Sequence, residues 1–455
     1  MTFKTYLPFY KSNLTVAIPV ILSQIGQVVV QMVDTMMVGR LGAVELASVS
    51  FASAIFNLGL LFTTSCGMGL TPLVGQNNSK GNHQQVSALF QNSFLFNLIL
   101  GVGVMCIILG STFFMDNMGQ DAGVTTLATP YLRIIAVSLV PVLLFVSFKQ
   151  FLEGIGNTRT AMIITIGTNI VNIALNYILI YGKFGAPALG VNGAAYATLI
   201  SRILMTIAFL FMFFYTKDLR KYFTLFRRKH FGYPYLKELA VVGLPIGTQV
   251  LSEQVAFSLT AIMVGWLGPI ALASHQVAMN VSTFVYMIMV GLGAACTIRV
   301  SNHFGLQSLE KMKQSAYASY HLTFGAAIIT ASTIIGLRYQ IPSMFTTDTE
   351  VINLSAQLLI IAALYQIPDG LQVASLGALR GIADVKKPML YASMAYLGLN
   401  IPVGYFCGFI LNMGAKGIWV GLIFGLTAAA ICFIYRFENK YRILKTEKEQ
   451  EVQAG

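Results

Sequence analysis

The sequence predicts an all-α polytopic membrane protein, with twelve transmembrane helices in two parallel six-helix lobes around a central cavity. Three observations predict it. Of 455 residues, 56% are hydrophobic, the mean hydropathy is +0.71 and only 10% are charged, where a soluble domain carries about 25%. Apolar runs recur from end to end and exceed the roughly 10-residue strands of a membrane barrel, so each run is a helix. Motifs of the first half also return, in order, in the second.

The spans fall at 14–38, 47–74, 87–112, 126–148, 160–182 and 190–215, then at 238–264, 270–298, 315–337, 351–376, 388–410 and 417–436. Each is about long enough to cross a bilayer. The first carries Asp34, leads straight into the second and ends in no small-residue cleavage site. It is therefore expected to be a retained helix rather than a signal peptide. Residues 1–216 form an N-terminal lobe and 238–436 a C-terminal lobe. The stretch 217–237, containing KDLRKYF and RRKHFGYP, links them, and 437–455 is a tail. Cys66, Cys106, Cys296, Cys407 and Cys432 lie in apolar segments, odd in number and without a CxxC pair. They are expected to be free thiols, with no disulfide framework and no metal centre.

A formal net charge of +12 would suggest a nucleic-acid partner in a soluble protein, but its distribution points to topology. Alternating the sides of the spans puts 23 of the 29 Lys and Arg on one side. The other side keeps Arg40, Lys183, Arg338 and Lys416, while Arg133 and Arg202 fall within spans. The positive-inside rule then places both termini in the cytoplasm. No nucleic-acid partner is expected, because the basic residues are spread over short loops.

The duplication is collinear. VGRLG at 38–42 returns as VGWLG at 264–268, an offset of 226 that also carries Pro19 to Pro245, Leu46-Ala47-Ser48 to Leu272-Ala273-Ser274 and Thr71 to Thr297. An offset of 227 carries Pro141 to Pro368 and LEGIG at 152–156 to LRGIA at 379–383, and one of 224 carries Asn176 to Asn400. Six spans per unit return the chain to its starting side, so the repeats are parallel, as in many secondary transporters. No GxxxxGK[ST] motif is present, so ATP is not the expected energy source.

Three acidic residues lie well inside spans: Asp34, Glu253 and Asp369. One intramembrane carboxylate serves structure as readily as function, by capping a broken helix or bonding a neighbour. Three of them, with no lysine in these spans, favour function. Asp369 and Tyr365 share a helix face at i, i+4. Between them Pro368 lacks an N–H, which is expected to disrupt the helix and free the carbonyl near Leu364. Carboxylate, phenol and carbonyl are oxygen ligands suited to a hard cation such as Na⁺; the same groups would serve as a proton site. Glu253 follows Pro245-Ile246-Gly247, also expected to break its helix, and would add a second carboxylate if the seventh and tenth spans meet. In the first lobe Asn169, Asn172 and Asn176 stripe one face of the fifth span. Such asparagines commonly bond helix to helix; with the unpaired Asp34 they make a second candidate ion or proton site. Asp34 maps onto Thr260, so the lobes are not equivalent. Met32, Met36, Met37 and Phe257 lie near these acids. Such side chains adapt to many ligand shapes, although in a chain with 20 Met and 31 Phe most pack helices or face lipid.

VDTMMVGRLG in the first span, PIGTQVLSEQ in the seventh, and YQIPDGLQ followed by LRGIADVKKP in the tenth resemble the multidrug and toxic compound extrusion (MATE) family over nearly the whole chain. Glu253 together with Asp369 points to its bacterial NorM-type branch. The resemblance implies a monomeric antiporter of the bacterial inner membrane, exporting organic cations in exchange for Na⁺ or H⁺. It implies a coupling-cation site of Glu253, Tyr365 and Asp369, and an N-lobe site of Asp34, Asn172, Asn176 and Thr198. Drug contacts are implied at Gln276 and Asp348, with Phe257 beside them. Some relatives carry an aspartate where this chain has Asn176, which removes one acid from the N lobe. Two rivals are weaker. A lipid-linked precursor flippase would place cations in its cavity, and an intramembrane aspartyl protease commonly needs a GxGD setting where this chain has PDG and VDT.

Overall fold

The computed structural model describes residues 3–226 and 230–454. Among them are twelve helices long and apolar enough to cross a membrane: α1 (Thr5–Gly39), α2 (Ala43–Ser79), α3 (His83–Ser111), α4 (Ala122–Gly154), α5 (Thr158–Tyr181), α6 (Gly190–Tyr215), α7 (Tyr233–Gly265), α8 (Pro269–Gly305), α9 (Leu309–Gly336), α10 (Thr349–Gly381), α11 (Lys386–Ile410) and α12 (Gly414–Glu451). No strand occurs among the described residues. Each predicted span lies on one of these helices, to within one residue at its end. Short polar side chains start several of them: Asn82, Asp121, Asn157 and Asp348 each accept a backbone N–H from the first turn that follows, satisfying donors that a helix start leaves free.

The contacts define two units. One comprises Leu22–Gly247; the other comprises Met1–Ile21 with Thr248–Gly455. This division departs from the 1–216 and 238–436 lobes of the sequence reading. The first part of α1 packs with the second half of the chain, where Val16 and Ala17 join Leu292, Ala295 and Ile298 in a buried cluster. Buried Asn13 donates to the Ser315 carbonyl at 3.0 Å and to Ser319 at 2.8 Å. The first part of α7 packs reciprocally with the first half, where Gly243 and Gly247 close onto Cys66 of α2. Ile21 of α1 closes onto Gly291 of α8, and Ile21 and Gly247 are 226 residues apart, so the exchange itself obeys the repeat.

The repeat also reappears as geometry inside each unit. Thr71 of α2 donates to the Gln150 carbonyl of α4 at 3.0 Å, and Thr297 of α8 donates to the Gly377 carbonyl of α10 at 3.0 Å. A Cβ on Gly154 would lie 2.8 Å from Val74 Cβ and 2.9 Å from the Thr71 carbonyl oxygen; one on Gly381 would lie 2.8 Å from Val300 Cβ and 3.0 Å from the Thr297 carbonyl oxygen. These are the same two helix crossings built twice.

Prolines act less uniformly than expected. α10 runs unbroken through Pro368 and α7 through Pro245, so neither residue breaks its helix. Membrane helices tolerate proline where neighbours hold them, and α10 is packed by α8, α9 and α12. Pro368 still withholds a donor from the Leu364 carbonyl. Its counterpart Pro141 sits just after an interruption of α4 at Ser138, in the first turn of the segment Leu139–Gly154, where a missing N–H costs nothing. α2 bends at Met68-Gly69, where a Gly69 Cβ would lie 2.8 Å from the Gly243 nitrogen. α11 contains two π-helical stretches, Met394–Asn400 and Phe406–Ile410. There Gly417, Gly421 and Gly425 of α12 bring the two backbones into close contact.

The expected 437–455 tail is mostly a continuation of α12. Glu438 accepts from Lys313 at 2.8 Å and from Tyr317 at 2.9 Å, Tyr441 hydrogen-bonds Glu310, and Lys448 donates to the Gln307 carbonyl at 2.8 Å.

Candidate functional site

Two clusters of ionisable groups lie within the spans, one in each unit. In the unit containing Thr248–Gly455, α7 supplies Gln249, Glu253 and Phe257 at spacings of four, hence on one face. α10 supplies Tyr365, Asp369 and Arg380, α8 supplies Ser282 and Tyr286, and α11 supplies Tyr396. Glu253 and Asp369 are both buried. Arg380 Nη2 donates to Gln249 Oε1 at 2.6 Å, Gln249 Nε2 donates to Glu253 Oε2 at 3.4 Å, and Tyr286 Oη donates to Glu253 Oε1 at 3.4 Å. Tyr286 and Tyr396 each interact electrostatically with Glu253, Asp369 and Arg380. Asp369 feels Glu253 yet forms no hydrogen bond and no ion pair with any described residue. Tyr365 faces Ser282, and its ring lies 5.9 Å from that of Trp419.

The expected meeting of the seventh and tenth spans therefore takes place, and Glu253, Tyr365 and Asp369 fall in one cluster. Two carboxylates and one guanidinium leave it with a net charge of −1 when all are ionised. The Tyr396 hydroxyl and Arg380 Nε are buried without a hydrogen-bond partner among the described residues. Hydroxyl and carboxylate oxygens beside an uncompensated negative charge are a donor set suited to a hard monovalent cation or a proton.

In the unit Leu22–Gly247, Asn176 Nδ2 donates to Asp34 Oδ1 at 2.5 Å and to Asn172 Oδ1 at 3.2 Å, and Asn172 donates to Ser201 of α6 at 3.2 Å. Thr198, half-buried on α6, stands outside this chain of bonds. Asn169 Nδ2 and Asn176 Oδ1 are buried without a hydrogen-bond partner among the described residues. Arg202 donates to Ser138 at 2.5 Å, lies 5.1 Å from the centre of the Phe56 ring, and acts electrostatically on Asp34 and Tyr131. Asp34 and Arg202 leave this cluster without net charge.

Phe257 is half-buried against the core of its unit. Gln276 is exposed on α8 and donates to Asn280 at 3.3 Å. Asp348 is exposed and caps α10, accepting from Glu350 N at 2.9 Å and Val351 N at 3.4 Å.

Sequence reasoning missed Arg380 and left Arg202 unpaired. Arg380 looked like a loop residue because the apolar pattern thins before α10 ends. Its signal was the repeat: it occupies the place of Glu153 in the first half. Arg202 stood inside a span, and an arginine there is as costly as the aspartate it accompanies.

A duplicated helical membrane protein with a buried ionisable cluster in each unit has the architecture of a transporter. The MatE family model matches residues 19–178 and 245–406. A probable multidrug resistance protein NorM of Mannheimia succiniciproducens is 35% identical over 450 residues, 97% of this chain and 95% of that protein. A multidrug resistance protein MdtK of Photorhabdus laumondii is 33% identical over 439 residues, 95% of each. An outward-facing multidrug resistance MATE family transporter shares the fold with a TM-score of 0.88 at 21% identity, over 96% of this chain and 97% of that one. The eukaryotic MATE transporter AtDTX14 gives 0.87 at 20% identity, over 97% and 99%. The chain belongs to the MATE family, on its bacterial NorM-type branch.

Proposed function

We propose that this chain is a secondary multidrug efflux antiporter of the bacterial inner membrane, monomeric and with both termini cytoplasmic. It exports cationic and amphipathic organic compounds in exchange for Na⁺ or H⁺ by alternating access. The observation that carries this reading is the pair of buried carboxylates, Glu253 on α7 and Asp369 on α10 of one unit, with one guanidinium, Arg380, linked to Glu253 through Gln249. Relatives described as multidrug resistance proteins support drugs as the exported compounds. A cation at this pair weakens the hold of the same charges on a cationic drug, so each ligand favours the state that expels the other. Arg202 and Arg380 do not revive the flippase alternative, because each accompanies acids and neither cluster offers net positive charge to a phosphate.

One charge crossing 100 mV is worth about 2.3 kcal/mol, enough for a drug gradient on the order of 50-fold, provided the exchange moves one net charge. Efflux of a cationic dye from everted vesicles, with sodium and proton gradients imposed separately, tests the reading. Efflux driven by at least one gradient is expected; efflux indifferent to both overturns it.

A further inference from the structure

We propose that Arg380 sets the cation count of the Glu253/Asp369 site: its fixed positive charge cancels one carboxylate, so the site takes one monovalent cation per cycle. The inference rests on the reading that Glu253 and Asp369 hold the coupling ion. Arg380 is placed by geometry. It stands in the last turn of α10, three turns beyond Asp369, and its guanidinium meets Gln249 at 2.6 Å. Gln249 lies one turn before Glu253 on α7 and passes the contact on at 3.4 Å. Arginine keeps its charge under all physiological conditions and fixes its donors in a rigid fork, so this is a permanent counter-charge. It touches neither carboxylate directly, which leaves the oxygens of Asp369 free for an ion. Arg380 is thus a positioning residue rather than a ligand.

The duplication shows that this cation is specific to one half. Glu153 occupies the equivalent place in the first half, where it faces Lys149 at 3.8 Å. In the first-half cluster the acid Asp34 already has Arg202 beside it. Of the two buried clusters among the described residues, the one in the second half combines two acids with one arginine and so keeps a negative charge when all are ionised. A purely structural role for Arg380, tying α10 to α7, makes no prediction about how many ions bind. The charge count does.

The test uses the full chain reconstituted in liposomes, with sodium-dependent dye efflux and direct sodium titration as readouts, or the proton equivalents if protons drive wild-type efflux. Wild type, at −1 with both acids ionised, is expected to show a Hill coefficient near 1. Arg380→Gln leaves −2 and raises it towards 2, the number of sites, with calcium now competing. Glu253→Gln leaves zero and loses cation-driven efflux. The double variant Glu253→Gln/Arg380→Gln returns to −1 and regains one-cation coupling. Arg380→Lys keeps the count of one with about tenfold weaker sodium binding, as for other outer-shell partners. If Arg380→Gln does not fold, the comparison of Glu253→Gln with the double variant decides alone. A double variant as inactive as Glu253→Gln overturns the inference while leaving the antiport reading intact. Wild-type efflux indifferent to sodium and protons overturns that reading and this inference together.

Discussion

Asp369 is a buried carboxylate with no hydrogen-bond donor among the described residues. A buried charge held this way destabilises the fold by several kcal/mol, so its neutral isostere relieves the molecule. Asp369→Asn is therefore expected to abolish ion-driven efflux while thermal unfolding of the purified protein moves up or not at all. Retained coupling, or a lowered Tm, would remove Asp369 from the proposed role. The acids Asp34, Glu253 and Asp369 were legible in the sequence because a charge inside an apolar run stands out without any partner being known. Gln249, Tyr286 and Tyr396 were not. Gln249 shares the face of Glu253 on α7 but is an ordinary polar residue by itself; the two tyrosines are ordinary in a chain with 20 of them, and only the crossing of α7, α8 and α11 brings them to Glu253. Arg380 shows the same limit from the other side: hydropathy marks where a helix is apolar, not where it ends.

At the scale of elements, the twelve helices follow from hydropathy, and the details that depend on neighbours do not. The π-helical stretches of α11 and the bend of α2 arise where glycines let another backbone approach, and the outcomes at Pro141 and Pro368 differ because their surroundings differ. The repeated crossings give a measurable consequence. Val300 and the Thr297 carbonyl leave no space for a methyl group on Gly381. Overpacking of this kind costs about 1–3 kcal/mol. Gly381→Ala and Gly154→Ala should each lower the Tm by a comparable amount, whereas Gly325→Ala on α9, with open space around it, should not; equal behaviour of all three would show that the crossings are not tight. The extension of α12 is held by weaker forces. The Lys313–Glu438 pair spans 2.8 Å, with side chains 30% and 22% exposed, so a double-mutant cycle to alanine should return about 0.2–1 kcal/mol, shrinking in high salt. A coupling of zero at low salt would show that Glu438 is held by Tyr317 alone.

At the scale of the whole chain, the two contact units and the two sequence repeats are not the same objects. Each unit takes the first part of a helix from the other half: α1 up to Ile21 belongs with Thr248–Gly455, and α7 up to Gly247 belongs with the unit that begins at Leu22. A fragment ending at Phe226 therefore lacks the α7 segment that covers Cys66 and Phe62 of α2. A fragment beginning at Arg227 lacks Asn13, Val16 and Ala17, exposing Leu292, Ala295 and Ile298 and leaving Ser315 and Ser319 without the Asn13 side chain they bond. Each lost buried hydrogen bond costs about 1–3 kcal/mol, a large share of the stability of any domain. Neither fragment should accumulate when expressed alone. Expressed together they should copurify through a tag on either one, because all the packing segments are then present and only the 217–237 connection has been cut. If the second-half fragment alone purifies as a monodisperse species with the Tm of the intact chain, the exchange of opening segments contributes nothing to stability, and the lobes divide at the linker as the sequence pattern alone suggests.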